Sequence, residues 1–103
     1  MEVFKNLIGK PVMIRTYSAG VHYGILEEIS SASDGFDVFV SPSRRIYSWT
    51  GAFSLSELAL VGSTRKDSKI SVVQPGIALR AIEVAPMTME AYENLNAIKP
   101  AQV

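Results

Sequence analysis

Apolar and polar residues alternate along most of this chain with the two-residue period of β-strands. Residues 11 to 17, Pro-Val-Met-Ile-Arg-Thr-Tyr, predict a first strand. Residues 21 to 29, Val-His-Tyr-Gly-Ile-Leu-Glu-Glu-Ile, predict a second. Ser18-Ala19-Gly20 lies between them. A three-residue hairpin loop ends on a residue at positive φ, which glycine adopts without steric cost. Ser30 to Gly35 reads as a polar loop ending in the turn pair Asp34-Gly35. Phe36, Val38 and Val40 alternate with Asp37 and Phe39 in a third strand over 35 to 41, which Pro42 is expected to end. Arg44 to Trp49 predicts a fourth, so the first half reads as an antiparallel meander.

The period changes after Gly51. Ser54-Leu55-Ser56-Glu57 fits a capping box, and Leu55, Leu58 and Ala59 give the short helix behind it one apolar face. Gly62 closes that helix. Residues 62 to 69 form a polar, net basic loop. Ile70 to Val73 predicts a fifth strand, Pro75-Gly76 a type II turn, and Ile77 to Ala85 a long sixth strand ended by Pro86. Thr88 is placed to cap a last helix from about Met89 to Ala97. The pattern is that of one mainly β (α+β) domain over residues 1–103, with about six antiparallel strands, a short internal helix and a C-terminal helix. A small, partly open barrel and a sheet with both helices on one face satisfy it equally.

Composition narrows the function more than the fold. Ten basic and ten acidic residues cancel among 103, so no global positive field draws nucleic acid, and a nucleic-acid role is disfavoured. There is no cysteine, which removes disulfides, thiolate metal sites and cysteine nucleophiles. No apolar run approaches the roughly 20 residues that span a membrane, and the N-terminus lacks a signal-peptide pattern, so a membrane partner is not expected. The apolar share, 48%, is high for so small a domain and hints at a homo-oligomer.

The chemistry sits in the hairpin and the fourth strand. Met13, Arg15 and Tyr17 share one strand face, and Arg45, Tyr47 and Trp49 share another, opposite Arg44, Ile46 and Ser48. Guanidinium groups grip phosphate bidentately and aromatic faces stack bases, so a planar anionic ligand such as a nucleotide would use both. The competing reading puts Tyr47 and Trp49 in the core and pairs the arginines with Glu27, Glu28 or Asp37. Ser18 and His22 would add hydrogen bonds, and Arg65 in the basic loop a further phosphate contact. His22 is the only histidine and has no marked catalytic partner, and a lone histidine without cysteine is poor material for zinc. No cofactor or catalytic motif is evident, and a non-enzymatic protein is expected.

The runs Asn6 to Val12, Arg15 to Gly24, Arg44-Arg45-Ile46-Tyr47-Ser48-Trp49 with Gly51-Ala52, and Ser54 to Ala59 together resemble a family of small proteins encoded by tailed bacteriophages. The resemblance runs from about Leu7 to Pro86 in matching order. This chain departs from the family where Trp-Tyr-Trp often follows the paired arginines, and at the tail, which reads Ile98-Lys99-Pro100-Ala101 rather than Val-Trp-Lys. Contacts made by those aromatics therefore do not carry over. The resemblance implies a phage source and a host bacterial cytoplasm. Some small phage proteins sequester cyclic nucleotide or ADP-ribose-derived immune signals, and others assemble into virions or bind host proteins. The expectation is a nucleotide-signal sponge that uses Arg15, Arg44, Arg45, Arg65, Tyr17, Tyr47 and Trp49. The alternatives are a virion or host-interaction protein and a small nucleic-acid-binding barrel.

Overall fold

The computed structural model describes residues 5–49, 54–63 and 68–100. Its strands are β1 (Pro11–Thr16), β2 (Val21–Ala32), β3 (Gly35–Ser48), β4 (Lys69–Ile70) and β5 (Ile77–Pro86); its helices are α1 (Leu55–Val61) and α2 (Met89–Asn96). Every pairing is antiparallel within one sheet. β1 pairs with β2 and β5, and β3 pairs with the same two strands. The sheet is therefore partly ring-like, with β4 added along the end of β3.

The β1–β2 hairpin forms as its sequence predicts. Gly20 takes a φ of 88°. The Thr16 hydroxyl clamps the loop: it donates to the Gly20 carbonyl at 2.8 Å and accepts from the Ala19 N–H at 2.7 Å. The third and fourth expected strands are one strand, β3. Pro42 does not end it, because the β2–β3 ladder is irregular there. It skips from Leu26↔Val40 to Gly24↔Ser43, so no N–H is required of the proline. The expected fifth strand shrinks to Lys69–Ile70. Ser71 to Gln74 still runs beside β3, with the Ser71 N–H donating to Arg45 O and the Gln74 N–H to Ser43 O, both at 2.8 Å.

Two apolar clusters lie on the two sides of this sheet. Val12, Ile14, Leu26, Val38, Val40, Ala81 and Val84 fill the inner side of the ring. Met13, Tyr23, Ile46, Ile70 and Ala85 face the other way, under Leu55, Leu58 and Ala59 of α1 and Ala91 and Leu95 of α2. Covering both faces explains why Pro11 to Ile14 are buried without alternation. Ala81 and Val84 both point inward, three residues apart, because β5 places an extra residue, Ile82, opposite the Arg15–Thr16 step. Both helices start on side-chain caps: Ser54 Oγ accepts from the Glu57 N–H, and Thr88 Oγ1 from the Ala91 N–H. Thr88 also donates to Leu60 O at 2.8 Å, which ties the start of α2 to α1.

Candidate functional site

Neighbours on a strand point to opposite sides, so Arg44 and Arg45 cannot share a surface. Arg44 pairs across the ladder with Tyr23, on the helix-covered side. It is 3% exposed. Its Nε donates to Ser71 O at 2.7 Å, Nη1 to Leu95 O at 3.0 Å and to the Tyr23 hydroxyl at 3.4 Å, and Nη2 to Ile98 O at 2.8 Å. α2 has no basic residue in its last turn, and the carbonyls at its C-terminal end carry partial negative charge. Arg44 supplies that missing cation from a strand. Its expected role as a surface phosphate contact is corrected by this burial.

Arg45 faces the other way, paired with His22. Its guanidinium lies across Gly20, where a Cβ would come within 2.7 Å of Nε. It also stands 5.5 Å from the centre of the Tyr47 ring, within cation–π range. Tyr47 is 58% exposed and Tyr17, on the hairpin loop, 89% exposed; Ser18 beside it is exposed as well. Arg45, Tyr47, Tyr17 and Ser18 thus gather at the hairpin end of the molecule.

The other expected members stand apart. Arg15 pairs with Val21, which opposes Ile46, so the register puts it on the side opposite Arg45. There it forms an ion pair with Glu83 at 3.1 Å. Trp49 does not share the face of Tyr47. The β3–β4 ladder bulges between Ile46 and Ser48, which shifts the alternation, and Trp49 packs half-buried against the helix-side core. Arg65 lies outside the described residues. The carboxylates suggested as arginine partners resolve differently: Asp37 is taken, with Asp34, by Arg80, each at 2.6 Å.

His22 supports the site from beneath. It is 3% exposed, so its ring meets no external ligand in this conformation. Its Nε2–H donates to the Ala19 carbonyl at 2.8 Å, which leaves Nδ1 as the bare nitrogen, buried without a partner. Burial lowers its pKa, the Ala19 bond opposes that, and the Arg45 charge lowers it further. An unfolded histidine titrates near pH ~6.5, so as pH falls through that value the unfolded chain takes up a proton that the folded chain refuses. Stability is therefore whole above that range and erodes below it. The expected result is a melting temperature that declines from pH 7 to pH 5, with a flatter profile in His22→Gln over the same interval. Parallel profiles would show that His22 does not carry the dependence.

Two cavities lie elsewhere. One, of about 120 Å³, adjoins Tyr23, Arg44 and Asn96; a shallower groove of about 330 Å³ is lined by Glu28, Ile29, Ser30, Asp37, Val38, Phe39 and Ala78. Neither is lined by Tyr17, Arg45 or Tyr47. Tyr17 and Tyr47 are the exposed aromatics of the hairpin end. Sequence reasoning passed over Tyr23 and Asn96, whose hydroxyl and amide oxygen bond at 2.8 Å. The signal was the adjacent arginines, since one of the pair had to turn inward. Among the described residues no cluster of His, Cys, Asp or Glu could hold a metal, and no helix is long and apolar enough to cross a membrane.

One family model, described as a domain of unknown function (DUF6948), matches residues 9–95. No curated protein and no solved structure matches the chain.

Proposed function

The chain belongs to the DUF6948 family, and from its own geometry we propose that it is a non-enzymatic binding protein whose hairpin end takes a planar, anionic, nucleotide-type ligand. The observation that carries this reading is Arg45 laid over the exposed Tyr47, beside Tyr17 and Ser18. Tyr47 and Tyr17 offer stacking faces, and Arg45 offers a fork of donors for phosphate. Arg44, His22 and Trp49 act behind this surface rather than on it. No bond needs to be broken for the task. In the phage setting, the ligand class is a cyclic nucleotide or ADP-ribose-derived immune signal, which capture withholds from the host. A second copy would enclose a ligand held at the hairpin end; the exposed Leu60, Val61 and Val73 lie with the helices, on the other side of the sheet.

Calorimetry against cyclic dinucleotides, cyclic trinucleotides and cyclic ADP-ribose isomers tests the proposal. Binding by one class is expected. Tyr47→Ala should weaken it about tenfold, in line with the loss of one stacked base. Arg45→Ala should weaken it at least as much. No heat with any ligand at high micromolar concentration, or binding indifferent to both substitutions, removes the reading. The exposed apolar residues support one other role, assembly into a virion. Mass spectrometry of purified particles separates the two, since a sponge is absent from them and a structural protein is present in many copies.

A further inference from the structure

The cleft of about 120 Å³ under the end of α2 is a separate feature, on the opposite side of the sheet from Arg45. Tyr23, Ser43, Arg44, Val73, Tyr92 and Asn96 contribute to its lining. Arg44 carries a full charge that no carboxylate among the described residues answers; its acceptors are carbonyls and a phenol. Helix-end carbonyls offset only about half an elementary charge. A guanidinium has five N–H donors. One on Nε, two on Nη1 and one on Nη2 are engaged, which leaves a donor on Nη2 without a partner among the described residues. The amide oxygen of Asn96 is engaged by Tyr23, and its NH2 group has no partner among the described residues. Ser43 borders the cleft, but its side chain points to the Arg45 side of the sheet, as its pairing with Gly24 requires. The lining therefore offers the spare donors of Arg44 and Asn96 and is net positive. Burial pushes the Tyr23 phenol up to about 12, with Arg44 opposing, so Tyr23 adds no negative charge near neutrality.

We propose that this cleft binds a small oxyanion, a carboxylate or a phosphate-sized ion. At roughly 30 Å³ per water, its volume holds about four waters or one such ion. The anion would complete the neutralisation of Arg44 through a charge-assisted bond. Tyr92, edge-on to Tyr23 with ring centres 5.9 Å apart, and the exposed Val73 leave room for a short apolar substituent at the mouth. The site stands independently of the hairpin-end proposal.

Nitrogen-15 NMR of the full chain tests this, with titrations of sodium acetate, sodium phosphate and sodium chloride at matched ionic strength. One oxyanion should give saturable shifts confined to Gly24, Ser43, the Arg44 Nε–H and the Asn96 amide, and chloride should not reproduce them. The acetate and phosphate arms separate carboxylate from phosphate chemistry. Asn96→Asp, which keeps the oxygen that Tyr23 uses but sets a carboxylate in the site, should abolish binding. Arg45→Ala should leave it unchanged. Shifts that chloride matches, that do not saturate, or that survive Asn96→Asp would overturn the proposal.

Discussion

Arg44→Met should lower folding stability by about 3 kcal/mol or more, the order expected when several charge-assisted bonds are lost and buried acceptors are left unpaired. Methionine matches the length of the arginine stem but none of its donors. Ser71 O, Leu95 O, Ile98 O and the Tyr23 hydroxyl would each lose a bond from a side chain that is 3% exposed. Buried acceptors left unpaired cost more than the bonds themselves contribute. Total stabilities of such domains are only about 5–15 kcal/mol, so the variant is expected near the edge of folding. Arg44→Lys keeps the charge but cannot reach strand and helix carbonyls with one planar fork, and should fall between the two. Urea unfolding followed by circular dichroism gives the comparison. A loss under about 1 kcal/mol for the methionine variant would mean that the network does not hold α2 in place.

Gly24→Ala should be the next most damaging change, at about 3 kcal/mol or more. The added methyl would lie 2.0 Å from the Pro42 carbonyl oxygen and 2.5 Å from a Val40 methyl. The first of these is backbone and cannot swing aside. Gly24 pairs with Val12 on one side and Ser43 on the other, so both ladders resist a shift. Gly9→Ala is the control for conformational strain, since Gly9 also has a positive φ, of 85°, but nothing lies within 4 Å of its added Cβ. Thermal unfolding should show Gly24→Ala far below Gly9→Ala. Equal losses would show that β2 and β3 can part at this point without penalty.

Local features were legible because their chemistry is contained in a few residues. Gly20 announced the hairpin, Ser54 and Thr88 announced the helix starts, and each does in the structure what its residue type requires. What the residues could not reveal depends on partners far along the chain. Pro42 was a stop signal by its own chemistry, but an irregular ladder on the neighbouring strand lets β3 continue through it. Trp49 kept step with Tyr47 on a regular strand, and one bulge against Lys69–Ile70 turned it into the core. The candidate site divided for the same reason. Arg45 and Tyr47 stay together because they lie two residues apart, before the bulge turns the strand. Arg15 is separated from them by the register of β1, which only the pairing through β2 determines. Arg44 was drawn inward by the end of α2, some fifty residues away.

β5 is the last strand in the sequence, and it is the one that pairs with both β1 and β3, Met13 meeting Ala85 and Val38 meeting Leu79. Without β5, the β1–β2–β3 meander has an unpaired border on β1 and another on β3. Such borders are templates for pairing with other chains. The β1–β5 pairing joins the strands farthest apart in the sequence, and such distant contacts are slow to form. The interval before β5 arrives is when this protein is most open to capture by its own copies.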